Sequence, residues 1–477
     1  MKSVIKSVGT SMVSRKVALA SLTAIVVVAV GLFFIFRSGS KAGSLATALP
    51  EDAIAVGKVD FENLYQEDNM LADIIKMYVT DDMIKETGVD VETPAYVFAQ
   101  QNKGGCVFSL RDEAGFWNYI KVDAESQRGL KWGDYQGQFL IASDGERAMV
   151  VGPATSSEQE TLRNDVCKWM KQSKCQVAGD IMKAVDKGDG FFTVAASFDK
   201  LPSEYTREFT KQGVDLSGLG FFADLAVTRK EIALVMGSIG TNEYFEKMMA
   251  LNASNKRIDG SLAGMYGDRP FVQGEGGFNG EKFLKGLQTV SEQIPQFRQA
   301  WDMVNSMVNV EEIIKAMDGE CGIVVPEFSL RQVPDVLVMA QVKDDKFMNN
   351  VETWNKVLED QGTRLQLVPF RDKVYEVKGV TIPCYFGVQD KHMVVTTNAE
   401  MLKAKPKGVN AVPEEARKSM GYVCVDLEPT GVWDLLWKNY PLLNLAPAKV
   451  SEIKNFNRLL IVAEDNTRVR ISLGTWE

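Results

Sequence analysis

His392 is the only imidazole in the chain, and it opens an apolar run beside the charged turn Gln389-Asp-Lys391. Zinc sites in proteins draw three or four ligands from histidine, cysteine and carboxylates, and neither a second histidine nor a C-x-x-C pair is present to help. A Ser-His-Asp hydrolase would have to use the same ring, but the chain holds no G-x-S-x-G elbow. His392 therefore reads as an ordinary strand residue. Enzymes can work without histidine, yet no other catalytic constellation is visible. The chain is read as not an enzyme, with no catalytic, cofactor-binding or metal-ligating residue assigned.

Gly274-Glu-Gly-Gly-Phe-Asn-Gly280 has the spacing G-x-G-x-x-x-G, superficially that of a nucleotide loop. No lysine follows in the P-loop position, and Glu275 would meet a phosphate with like charge. The expected structure is a loose turn between a strand over Pro270 to Gln273 and a helix from about Phe278. Asp186-Lys-Gly-Asp-Gly190 lacks the ligand alternation of a calcium loop and reads as a turn.

Among the six cysteines, Cys106, Cys321, Cys384 and Cys424 sit in apolar, strand-like runs and read as buried thiols. Cys167 and Cys175 fall in a helical pattern that would set their Cα atoms about 12 Å apart, beyond disulfide reach. Trp433 and Trp437 stand four apart on one helical face, followed by an apolar segment between Pro441 and Pro447. Such a cluster either packs in a core or presents an interaction surface. Trp433, Trp437, Tyr440, Leu442 and Leu443 form the candidate binding surface.

The elements that would carry these residues begin with Val17 to Phe36, an uncharged run with Arg15 and Lys16 before it and Arg37 after it. As a helix it is roughly 30 Å long and can cross a bilayer core. Lys2 and Lys6 add to the positive N-terminal side, which favours a cytoplasmic N-terminus. The expectation is a cytoplasmic segment 1–16, a single-pass anchor 17–36, a linker 37–48 and an exported remainder. Ala46-Thr-Ala48 has the small-x-small form of a signal-peptidase site, so cleavage after Ala48 is the rival reading. No cysteine follows the apolar run to take a lipid.

With 45% hydrophobic and 25% charged residues, the exported part reads as an ordinary globular ectodomain. A net charge of −9 argues against nucleic acid, which needs a basic surface, and against adsorption on anionic headgroups.

Strand and helix patterns recur in one order across two halves. The strand over Ala53 to Asp60 leads into a helix running past Ile75, and Pro270 to Gln273 leads into the helix near Phe278. Tyr96 to Gln100, Val107 to Asp112 and a helix with Phe116 and Trp117 match Gly322 to Val325, Val336 to Asp345 and a helix with Phe347 and Trp354. Hairpins over Gly137 to Val151 and Cys384 to Thr397 each precede a capped helix. Phe191 corresponds to Tyr422, and each half closes on a hairpin. The predicted fold is α+β: antiparallel sheets with helices packed on one face, internally duplicated as 49–252 and 262–477, with a boundary near Asn252 to Gly264.

Leu49-Pro-Glu-Asp-Ala-Ile-Ala-Val56 with Asp60 and Leu64, Gly88-Val-Asp90 before Tyr96-Val-Phe98, and Val342-Lys-Asp344 resemble exported Bacteroidales proteins of domain of unknown function family 4836. The resemblance covers most of the ectodomain. It implies an envelope location, with the anchor in the inner membrane and the C-terminal domain in the periplasm. Family members are often lipoproteins, a pattern from which this chain departs. The family has no assigned activity, so no functional residue is carried over. The expected role is non-enzymatic, binding a protein or lipid partner or serving the envelope structurally. Carriage or sensing of an apolar ligand is the alternative.

Overall fold

The computed structural model describes residues 45–65, 69–72, 81–211, 213–262, 269–293, 295–329, 333–403, 413–439 and 450–476. The apolar run 17–36 lies outside them. Among the described residues, no helix is long and apolar enough to cross a membrane. The fold is α+β, and the chain packs as two units: Met1–Lys211 with Leu216–Arg229, and Gln212–Asp215 with Lys230–Glu477.

In chain order the first unit contains β1 (Ala55–Val59), α1 (Phe61–Tyr65), α2 (Asp81–Glu86), β2 (Val89–Asp90), β3 (Ala95–Ala99), β4 (Gly104–Leu110) and α3 (Glu113–Ile120). There follow β5 (Glu125–Gln127), β6 (Leu130–Tyr135), β7 (Phe139–Ser143), β8 (Arg147–Gly152), α4 (Gln159–Met170), α5 (Gly179–Asp186), β9 (Phe192–Ser197), α6 (Ser203–Lys211) and β10 (Gly220–Val227). The strands form an antiparallel sheet in the order β10, β9, β1, β3, β4, β8, β7, β6, β5, with β2 pairing the far end of β4.

Helices cover both faces of this sheet, which corrects the expected one-face arrangement. Successive strand side chains point to opposite faces, and in β3 both Val97 and Phe98 are apolar and buried. Val97 joins Cys106, Phe108 and the α3 residues Phe116 and Trp117 in one core cluster. Phe98 meets Trp169 of α4 edge-on at 5.9 Å. The helix α4 buries Leu162, Val166 and Trp169, a stripe at helical spacing. Asp60 and Asp112 start α1 and α3: the Asn63 amide donates to Asp60 at 3.1 Å and the Ala114 amide to Asp112 at 3.0 Å. The continuation of the first helix past Ile75 lies outside the described residues.

Gly88 stands at φ +66°, and a Cβ there would fall on the Asp112 carbonyl oxygen. That carbonyl belongs to the residue capping α3, so neither partner can move freely. Gly88→Ala is expected to destabilise the protein by about 2 kcal/mol or more, read as a lower chemical-unfolding midpoint.

The second unit begins with β11 (Glu231–Ile239), α7 (Glu243–Met248), β12 (Asn255–Lys256), β13 (Val272–Asn279), α8 (Gly280–Gln293), α9 (Pro295–Val308), α10 (Val310–Ala316), β14 (Met317–Val325) and β15 (Leu337–Val342). It continues with α11 (Val351–Asp360), β16 (Gln366–Arg371), β17 (Val374–Lys378), β18 (Tyr385–Gln389), β19 (His392–Thr396), β20 (Gly421–Asp426), α12 (Val432–Asn439), β21 (Arg458–Ala463) and β22 (Arg468–Gly474). The sheet order is β11, β22, β21, β20, β13, β14, β15, β19, β18, β17, β16. The short strand β12 pairs with β13 beyond the end of β20.

Two expectations change here. The division between units falls at Arg229 and Lys230, ahead of the stretch Asn252 to Gly264, because β11 pairs along its length with β22 of the second unit. The glycine-rich segment is also no turn: Val272–Asn279 is one strand between β20 and β14, and the helix starts at Gly280. Glycine serves close approach of backbones. A Cβ on Gly277 would fall on the Lys256 carbonyl oxygen of β12.

Candidate functional site

The least expected chemistry of the chain sits on that glycine-rich strand. Gln273 and Glu275 lie two apart on β13 and share a face. Glu275 is opposite Gly322 of β14 and Tyr422 of β20, while Glu320 of β14 is opposite Gly277. The register therefore puts Glu275, Glu320, Tyr422 and Gln273 side by side. Gly322 and Gly277 contribute no side chain and leave room for the two carboxyl groups.

The two glutamates have opposite surroundings. Glu320 is 4% exposed and surrounded by donors. It accepts from the Gly260 amide at 2.8 Å, the Ser261 amide at 2.7 Å, the Ser261 hydroxyl at 2.5 Å and the Asp259 amide. These hydrogen bonds outweigh burial and hold its carboxyl below the ordinary value. Glu275 is 5% exposed, and neither of its carboxyl oxygens has a hydrogen-bond partner. Burial first, then the charges of Glu320 and Asp259, push it up to about 8. At pH 7 Glu275 thus keeps its proton while Glu320 is ionised.

Gln273 Nε2 donates to the Tyr422 hydroxyl at 2.6 Å, and burial raises the Tyr422 phenol above its usual range. Leu262, Val324, Leu337 and Met339 complete a cavity against Gln273 and Glu275 with room for about one water molecule. A neutral acid beside a fixed carboxylate can hold and release a proton. The space admits water rather than a larger substrate.

The residues singled out by sequence are dispersed. The Nδ1 of His392 lies 2.8 Å from the Asp390 carbonyl oxygen, at the turn into β19. Among the described residues, no group of three or more histidine, cysteine or acidic side chains is placed to hold a metal ion. Asp186 to Gly190 joins α5 to β9: Lys58 Nζ donates to the Gly188 carbonyl at 2.6 Å, and Tyr96 donates to Asp186 at 3.0 Å. All six cysteines are free. Burial pushes the thiols of Cys106 and Cys424 up to about 12. Cys167 lies within α4, and Cys175 follows that helix after its end at Met170.

Trp433 and Trp437 do lie on one helix, α12, with their rings edge-on at 6.1 Å. Trp433 Nε1 donates to the Phe456 carbonyl at 2.6 Å. Trp437 is 8% exposed, and the Lys454 ammonium stands 4.8 Å from its ring centre. Its ring is packed rather than presented to solvent. Tyr440, Leu442 and Leu443 lie outside the described residues.

The Glu275–Glu320 pair escaped sequence reading. Glu275 shares the stretch Val272 to Phe278 with Gln273, and the apolar Val272 and Phe278 fall on the opposite face of β13, so alternation along that strand gives no sign of a buried carboxyl group.

A family model, Domain of unknown function (DUF4836), matches residues 69–423. The chain belongs to this family. The matched DUF4836 region includes Glu275, Glu320 and Tyr422, whereas α12 lies beyond it. No curated protein matches the chain. Solved structures of TP0453 share 13% identity in crystal form IV and 11% in crystal form III. They cover 41% and 46% of this chain, and 81% and 90% of their own, at TM-scores of 0.27 and 0.26. Likeness at that level carries no argument about the DUF4836 fold or its role.

Proposed function

We propose that this DUF4836 member is a non-enzymatic envelope protein of Bacteroidales type, tethered to the inner membrane by residues 17–36, with its C-terminal part in the periplasm and a binding or structural role. The observation that carries the tether is the packing just after it. Leu45, Ala48 and Leu49 are all 0% exposed, and Arg147 donates to Thr47 at 3.3 Å. Cleavage after Ala48 would remove Leu45 and Thr47 from a core they complete, which favours a retained N-terminus.

The mature protein is expected to stay in the membrane fraction after carbonate washing. Val27→Asp should impair insertion, since a central aspartate costs about 2.5–3.5 kcal/mol on insertion scales. N-terminal sequencing that begins at Leu49 would remove the tether.

We further propose that the two units descend from one duplicated domain. The order β10, β9, β1, β3, β4, β8, β7, β6, β5 has the same chain-order ranking as β21, β20, β13, β14, β15, β19, β18, β17, β16. An experimental structure in which superposed units fail to pair Asp112 with Asp344 and Phe191 with Tyr422 would count against it.

One observation favours the second reading, a carrier of an apolar ligand. Val423, Ile323 and Val338 form a row across β20, β14 and β15, joined through Gly274, and are 37%, 37% and 36% exposed. Native mass spectrometry of the detergent-extracted protein tests it through co-purified lipid.

A further inference from the structure

We propose that the side chain of Asn355 closes the outer edge of the second unit's sheet, taking the place of a further strand and keeping two copies of this chain from pairing β16 to β16. The inference starts at the last strand of that sheet. Among the described residues β16 pairs with β17 alone, so one side of its backbone faces away from the sheet. Such an edge is a template for another chain.

The register shows which groups face outward. The Val377 amide donates to the Cys384 carbonyl at 2.8 Å, so Val377 turns its backbone groups towards β18 and away from Leu367, its partner on β16. Opposite residues of an antiparallel pair either exchange both hydrogen bonds or point both away from each other, and Leu367 therefore directs its N–H and C=O off the edge. One side chain meets both groups. The Leu367 amide donates to Asn355 Oδ1 at 2.7 Å, and Asn355 Nδ2 donates to the Leu367 carbonyl at 2.9 Å. A primary amide carries the donor and the acceptor of one backbone residue, so Asn355 reproduces the rung that a neighbouring strand would supply.

Packing holds this side chain in place. Trp354, its neighbour on α11, is buried in the core cluster on which Leu367 packs. Two residues on, Pro369 faces outward as Leu367 does and has no N–H to donate. The edge has little other protection. Charged side chains are a common guard of such strands, yet Leu365 to Phe370 carries no charge, and Val368 and Phe370 are 37% and 40% exposed. Without the Asn355 amide, two copies meeting about a two-fold axis at Leu367 would exchange both bonds between the paired Leu367 residues and bring their Val368 side chains onto one face. That contact is self-complementary, which makes a second copy the occupant that Asn355 excludes.

The test compares detergent-extracted full-length protein, wild type and Asn355→Ala, each also prepared with p-benzoylphenylalanine in place of the exposed Val368. Alanine suits α11 and leaves the Leu367 groups unmet. Native mass spectrometry should show the variant at twice the wild-type stoichiometry, and irradiation should link position 368 to a second copy in the Asn355→Ala background alone. Unchanged stoichiometry, a doubling without that crosslink, or a crosslink already present without the Asn355 substitution each overturns the proposal. Hydrogen exchange of the wild type needs no variant to fold: the Leu367 amide should be protected, and exchange as fast as in exposed loops would overturn the closing contact itself.

Discussion

Glu275→Gln is expected to make the protein more stable at alkaline pH and to flatten its stability profile between about pH 5 and pH 8. The folded carboxyl titrates at about 8, against 4.5 for the ordinary group. Below the lower value both folded and unfolded chains hold the proton, and burial carries no ionic penalty. Between the two values the unfolded chain ionises while the fold keeps its proton, and stability falls by about 1.4 kcal/mol per pH unit. Above pH 8 the accumulated loss is on the order of 5 kcal/mol. Glutamine has nearly the same shape and stays neutral, so the variant should escape this loss.

Glu320→Gln should behave in the opposite way, losing stability already at pH 6. Its carboxylate accepts four hydrogen bonds from Asp259, Gly260 and Ser261, and an amide replaces one acceptor oxygen by a donor. Leaving buried donors unmatched costs about 1–3 kcal/mol each. Urea-unfolding midpoints at pH 6 and pH 9 separate the two variants. Parallel profiles for wild type and Glu275→Gln would mean that the carboxyl titrates in the fold as it does in the unfolded chain.

What the sequence made legible follows from how strongly burial marked each element. Strands such as Tyr96 to Ala99 and Met149 to Val151 carry apolar residues facing packed layers, and their positions were readable. The hairpins β5–β6 and β16–β17 were not anticipated. All three residues of β5 are exposed, and in β16 Pro369 interrupts a largely exposed strand, so neither shows the apolar alternation that betrays a half-buried strand. The glycine-rich β13 was misread for a different reason: glycine density ordinarily marks turns, and only the close approach of β12 and the room left for two carboxyl groups explain it here. The carboxyl pair itself depends on register between strands more than forty residues apart, which no local pattern encodes.

The tryptophan pair shows the same limit from the other side, and Trp437→Ala is the substitution that exposes it. Spacing of four residues aligns two rings on a helix whether that face meets solvent or core. As a surface residue, Trp437 would be expected to affect association and leave stability nearly unchanged. At 8% exposure, edge-on to Trp433 and under the Lys454 ammonium, it should instead lower stability by about 3–5 kcal/mol on truncation. Leu435, on the same helix and 59% exposed, provides the internal comparison. Its replacement by alanine should shift stability by no more than about 0.5 kcal/mol. Thermal unfolding of both variants decides between the readings: a small shift for Trp437→Ala would return that ring to the candidate binding surface, whereas a large one assigns it to holding α12 against the segment that ends at Phe456.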